Sequence, residues 1–226
     1  MIATAKAVGK TNKSKTAKGE ETSVKIILAT LNIIKCEGMR GVRHRAVASE
    51  AGVPLGTTTY HFKNIEELIV SAFSYWRIQT DLWTNPLVVE IDEYLTNNAS
   101  RLIATKAGSQ ELATTIYHYV VNYEIDQIEN RHDNRIIELA FYHESLQNDL
   151  LREEVFAYWK NELVGLTRFY ELARTSNPEA DARITQSIFH QLEREALMHG
   201  DDYNIDVIRN VLKRIVSIIF DVTIEH

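Results

Sequence analysis

Residues 43–63, RHRAVASEAGVPLGTTTYHFK, decide the fold class. Apolar Val47, Ala48, Ala51 and Val53 fall on the inner side of two short helices, about 45–51 and 55–62. Gly52 stands between them and can take a positive φ without steric cost, which a tight interhelical turn requires. Ala48 is small enough to let the two helices cross closely. This pattern predicts a helix-turn-helix, whose second helix enters the DNA major groove.

The flanking sequence extends the pattern. Val24, Ile27, Leu31 and Ile34 are spaced 3, 4, 3 and share one helix face. Thr22 or Ser23 can cap the start of that helix and Gly38 its end. Cys36, in its last turn, is read as a small core residue. Asn64 can cap a fourth helix, whose first turn carries Glu66 and Glu67 where the helix dipole favours anions. That helix holds Leu68, Ile69, Ala72, Phe73 and Trp76 and ends before Asn85-Pro86.

Taken together, Gly38, Ala51-Gly52-Val53, Gly56-Thr57, Tyr60-His61-Phe62 and Asn64–Leu68 closely resemble the tetracycline-repressor (TetR) family over about residues 22–76. The resemblance implies an all-helical, homodimeric transcription regulator, in most cases a repressor that leaves DNA when a small molecule binds its C-terminal domain. Two positions depart from the pattern. Arg43 stands where many members cap the second helix with Thr or Ser, and Thr58 where many have a large aliphatic residue. Loss of the cap costs about 1 kcal/mol, exchanged for a phosphate contact.

Chemistry assigns roles within the motif. Leu55 or a Thr methyl suits a thymine methyl, and the hydroxyls of Thr57, Thr58 and Thr59 suit base edges or phosphates. Tyr60, His61 and Lys63 suit phosphates at the groove edge, as the resemblance also implies. Arg43, His44 and Arg45 open the second helix, where cations and free N–H groups favour a phosphate. Phe62 is read as core.

Charge supports this division. Residues 1–65 carry 11 basic and 4 acidic groups, net +7, whereas residues 66–226 carry 14 and 27, net −13. A basic front on an acidic body points one end at a polyanion. Residues 1–19 hold five lysines and no acid, and read as a disordered basic arm. The expected organisation is therefore the arm, a helix-turn-helix domain over 20–66 with its motif at 43–62, and a helical effector-binding and dimerisation domain over 67–226.

The remainder reads as helices at about 87–107, 110–129, 133–147, 150–175, 179–198 and 205–223, with a kink possible at Gly165. Gly and Pro number only 12 in 226 residues, and no strand-like alternation is present. Ile208, Leu212, Ile215 and Ile219, with Ile184, Ile188 and Leu192 on the preceding helix, form apolar stripes. Two such helices from each of two chains make a four-helix dimer interface; burial within one chain is the alternative, and the resemblance favours the dimer. Nine of ten Tyr, all three Trp and six of eight His lie beyond residue 65. Of these, Trp76, Tyr119, Tyr123, Tyr142, His143 and Trp159 are candidates for a partly apolar ligand cavity.

Other classes find little support. One cysteine excludes an intrachain disulfide and a multi-cysteine zinc site, and favours a reducing, cytoplasmic setting. The lysine-rich start lacks the apolar core of a signal peptide, and no apolar run approaches a membrane span. His143-Glu144-Ser145-Leu146-Gln147 lacks the second His of a zinc-protease motif, and Glu129–His132 supplies one E-x-x-H where a di-iron bundle needs two. No enzyme, cofactor or metal is expected. The expected partners are palindromic double-stranded DNA, a second copy of the chain and a small-molecule effector. A regulator without an inducer, or a helical scaffold with a vestigial helix-turn-helix, are the alternatives.

Overall fold

The computed structural model describes residues 8–224. The chain is all-α, with no strand among the described residues. Its helices are α1 (Val8–Glu37), α2 (His44–Ala51), α3 (Leu55–His61), α4 (Ile65–Gln79), α5 (Pro86–Leu102), α6 (Lys106–Asn130), α7 (His132–Ser145), α8 (Asp149–Leu172), α9 (Pro178–His199) and α10 (Asp206–Ile219). None of these is long and apolar enough to cross a membrane.

The helices divide into two compact units. One takes the chain through Gln79 together with Leu139–Val155; the other takes Thr80–Glu138 and the chain from Phe156 onward. The first compact unit thus runs past residue 66, to Gln79. Helix α4 joins the N-terminal unit because Leu68, Ala72, Phe73 and Trp76 are buried there. Phe141 meets Phe73 edge-on at 5.2 Å between ring centroids, and Trp76 at 5.9 Å. Such aromatic contacts each add about 0.5–1.5 kcal/mol beyond the area they bury.

Two readings of α1 are corrected. The expected arm is helical from Val8 onward, while residues 1–7 lie outside the described residues. Residues 8–18, VGKTNKSKTAK, include no Pro, and elongating an existing helix avoids the cost of nucleation. Thr22 and Ser23 therefore sit inside the helix and not at its start. Cys36 is exposed, not core. The end of α1 is as expected: Gly38, at φ 70°, donates its N–H to Ile34 at 3.0 Å.

The turn after α2 is built by backbone geometry. Gly52 is left-handed at φ 63°, ψ 38°. Its N–H donates to the Ser49 carbonyl at 3.2 Å, and the Val53 N–H donates to Ala48 at 3.0 Å. These are the two bonds of a Schellman motif, which satisfies carbonyls that a helix end leaves free. Val47 and Ala48 are buried beneath the turn, and Asn32 of α1 donates to Glu50 of α2 at 2.6 Å.

In the second unit α6 is central and packs on α5, α9 and α10. Leu95, Leu112, Ile116, Ile208 and Leu212 are fully buried. The dimer assignment of Ile208, Leu212 and Ile215 is thus corrected: α10 buries this stripe on its own chain's α6. Leu192 is likewise buried, and Ile188 and Ile219 pack against the same core. Only Ile184 of the expected interface set is exposed. Gly108 stands inside a helix. It lies in the first turn of α6, donates its N–H to Thr105 Oγ1 at 3.0 Å, and sits so close to the Leu102 carbonyl that no Cβ fits.

A Cβ on Gly52 would meet nothing within 4 Å, so substitution there is opposed by backbone conformation alone. Gly52→Ala should cost about 1–2 kcal/mol and Gly52→Asn less, since Asn tolerates the left-handed region. Urea unfolding of the three proteins checks the order; an Ala variant as stable as the parent would contradict it.

Candidate functional site

The reading head is assembled from short helices clamped between α1 and α4. Arg43 is extended at φ −140°, ψ 142°, and its side chain caps nothing, so the first N–H groups of α2 stay open to an anion. Arg43 and Arg45 are exposed and His44 is half-buried. Pro54 precedes α3, which carries exposed Leu55, Thr59 and Tyr60; Tyr60 is 83 % exposed. Thr57 and His61 are half-buried, and Lys63 is exposed. Phe62 is buried, as expected.

One residue of the set is withdrawn. Thr58 is 0 % exposed, and its hydroxyl donates to the Leu55 carbonyl at 2.8 Å. The helix turns it inward, where it packs in the place of a larger aliphatic residue, so it cannot touch a base. Below α3, Asn64 Oδ1 accepts from the Glu67 N–H at 2.7 Å, and Glu67 accepts from the Lys63 N–H at 2.9 Å. This reciprocal cap, a close variant of the capping box, holds Lys63 at the foot of the reading helix.

The second unit encloses a cavity with about 800 Å³ of unfilled space, counting its open mouth. Its wall includes Trp83, Tyr119, Tyr123, Phe169, Tyr170 and Phe189, with Arg135, Glu162, His190 and Glu193 among them. Tyr123 and Phe189 stack with centroids 5.9 Å apart. Gly165 of α8 is where the indole of Trp83 comes down on the helix; a Cβ there would overlap the ring. The helix passes Gly165 without interruption, and the glycine admits this close packing.

Ionisable groups gather at one side of this cavity. Arg135 Nη1 lies 2.8 Å from Glu138 and 3.0 Å from Glu193. Burial works against the Arg135 charge, but the two carboxylates outweigh it and raise its pKa. Burial likewise opposes the charge of His190, yet the hydrogen bond it donates to Glu193 and the charges of Glu138, Glu193 and Glu162 lift it to about 9. Glu193 is held below the usual carboxylate range, because Arg135 and His190 overcome its own desolvation. Glu162 is pushed the other way, to about 7, by burial first and by the Glu138 charge second. Glu124 is also pushed well upward by burial and by Glu193. Glu138, His190 and Glu193 could converge on a metal ion. The Arg135 guanidinium already engages both carboxylates, so this trio is read as an ion-pair network.

Of the expected ligand residues, Tyr119 and Tyr123 line the cavity. Trp76 does not: it belongs to the aromatic core of the first unit. Tyr142 and His143 fall in that same unit and do not line this cavity. Trp159 is off the wall, with its ring 6.2 Å from that of His190. Sequence reasoning missed Trp83, Arg135, Glu162, His190 and Glu193. The available signal was a run of charged residues at apolar-face positions of α7–α9, such as Glu193 beside Leu192 and Ala196.

Residues 26–72 match the sequence profile of bacterial regulatory proteins of the tetR family. No curated protein matches the chain. Among solved structures, a member of the TetR family from Streptomyces coelicolor A3 is 26 % identical, covering 86 % of this chain and 98 % of its own, with a TM-score of 0.55. The multidrug binding protein EbrR complexed with ethidium is 22 % identical over 86 % and 98 %, TM-score 0.60. A regulator from Saccharomonospora viridis in complex with choline is 17 % identical over 88 % and 96 %, TM-score 0.64.

Gly165→Ala should drive the Trp83 indole off α8. We expect a shift in tryptophan emission and a stability loss of about 1–3 kcal/mol, the usual cost of overpacking. An unchanged spectrum with unchanged stability would remove Trp83 from this contact.

Proposed function

We propose that this TetR-family transcription regulator binds a palindromic operator as a homodimer and represses until a small molecule enters the cavity of its second unit. The observation that carries the DNA reading is the exposed row of Leu55, Thr59, Tyr60 and Lys63, with Arg43 and Arg45 at the open start of α2. Only Thr58 of α3 is buried, so these exposed side chains, with half-buried Thr57 and His61 beside them, are free to meet a groove and its phosphates. Electrostatics support the same reading: the basic front of the chain releases counterions on binding DNA, whereas its acidic body repels the duplex.

Small-molecule control is supported by the aromatic cavity and by fold relatives whose structures hold ethidium and choline. The cavity favours this reading over a regulator without an inducer. Dimerisation is required by the operator geometry, since two reading helices must sit about one DNA turn, roughly 34 Å, apart. The α10 stripe is occupied within the chain, so a partner must cover something else. Phe156 and Val164, eight residues apart on one face of α8 and both more than 60 % exposed, are the best apolar candidates, with Ile184 on α9.

Gel shift with DNA from beside its own gene tests the function, and titration with salt tests the contact. Lys63→Ala keeps the backbone N–H that Glu67 uses, so the fold should survive. It should weaken binding to all sequences alike and lower the salt slope by about one. Affinity and slope both unchanged would take Lys63 off the DNA.

Phe156→Glu should stay helical by circular dichroism, sediment as a monomer and lose specific operator binding. A dimeric variant would move the interface away from this face of α8.

A further inference from the structure

Four carboxylates and two cations surround the charged side of the cavity. From α7 come Arg135 and Glu138, from α9 His190 and Glu193, from α8 Glu162, and from α6 Glu124; the phenols of Tyr123 and Tyr158 face the same group. Arg135 and His190 can balance two carboxylates. Glu138 and Glu193 take that role at hydrogen-bond distance from Arg135, and Glu193 also sits 3.5 Å from His190. Two carboxyls are left over. Glu124 is 0 % exposed and neither of its oxygens has a partner. Glu162 forms part of the cavity wall, where it accepts from Gln186 Nε2 at 3.2 Å. At Glu162 burial and the Glu138 charge outweigh the nearby His190 and Arg135 charges and the hydrogen bond with Tyr158. At Glu124 burial and the Glu193 charge act the same way, so both hold their protons more tightly than an ordinary carboxyl.

The rest of the wall suits the charge these carboxyls lack. Trp83, Tyr123, Phe169 and Phe189 line the same space, and aromatic rings attract cations through their faces. An anion would meet Glu162 and Glu193, and a neutral apolar ligand would draw nothing from the ionised form of Glu162. We infer that the effector is an organic cation, held among the cavity's aromatic rings with its positive charge against the Glu162 carboxylate. This inference rests on the cavity being the effector site. It adds a consequence: the cation replaces the proton of Glu162, so binding releases about one proton where Glu162 is protonated and none where it is ionised.

The test uses phenyltrimethylammonium and its neutral isostere tert-butylbenzene, which differ by a nitrogen for a carbon and hence by one charge. Calorimetry and tryptophan emission follow binding to the full-length protein. The cation should bind at least about tenfold more tightly than the isostere. Its affinity should fall by up to about tenfold per pH unit below the Glu162 midpoint and level off above it. His190, at about 9, stays protonated over the range from about pH 6 to pH 8, so the profile reports the carboxyl. Repeating the titration in buffers of different ionisation enthalpy counts the released proton. Glu162→Gln should abolish both the preference for the cation and the pH dependence, with the isostere's affinity retained.

Should the isostere bind as well as the cation, the charge class is overturned while the cavity remains an effector site. A cation preference with a flat pH profile would also overturn the role of Glu162. If neither compound binds up to its solubility, the cavity fails as an effector site and this inference fails with it. The wild-type pH profile and proton count need no variant, so they stand even if Glu162→Gln folds poorly.

Discussion

A helix of seven or eight residues does not persist in water by itself. Helices α2 and α3 are of that length, so the reading head exists only while longer helices hold it. Val47 and Ala48 anchor α2 within the N-terminal core, and Phe62 closes the end of α3. The Gly52 turn removes slack between them by satisfying two carbonyls with no side chain at all. Each fully buried aliphatic side chain contributes about 1.5–3 kcal/mol, so two or three such residues set whether the exposed row on α3 is presented as a surface or dissolves into an ensemble. The inward Thr58 belongs to this clamp. Its position shows that a residue of the recognition helix can be spent on stability while its neighbours remain free for DNA.

A different constraint governs the second unit. Guanidinium does not give up its proton in proteins, so Arg135, buried at the side of a cavity, must have carboxylates held against it. Glu138 comes from its own helix, three residues on, and Glu193 from α9. Removing one partner would strand a charge in a poorly hydrated place, which costs several kcal/mol. The pair Arg135–Glu193 therefore holds α7 to α9 as firmly as an apolar contact would. Because the network holds more carboxyls than cations, it also stores protons beside the aromatic wall. Its composition makes the cavity electrostatically unfinished, in contrast to the apolar core around α6, which is fully packed.

Much of this was legible in the chain alone. The 3, 4 spacing of apolar residues placed α4 to α10 within a few residues of their ends, because a helix repeats every 3.6 residues and its buried face must recur at that period. Gly38 and Gly52 were readable as stops, and Asn64 as a cap, because their bonds are made to backbone three or four residues away. The exposed row of the reading head was legible only in part, since Thr58, read as facing the groove, is turned inward by packing that its neighbours in sequence do not reveal.

The sequence by itself determined the helical class, the helix-turn-helix and its basic face, since each depends on neighbours within about ten residues. Tertiary structure decided what covers each apolar stripe. Periodicity reports that Ile208, Leu212 and Ile215 share a buried face, but the same face can meet α6 or a second chain, and here α6 takes it. Tertiary structure also decided that Trp76 is core and Trp83 is cavity, although both are Trp on helical stretches seven residues apart. Arg135 and Glu193 meet across 58 residues of chain, a distance over which spacing carries no information. The cavity is made of such meetings, so its charge balance became visible only once the helices had been packed.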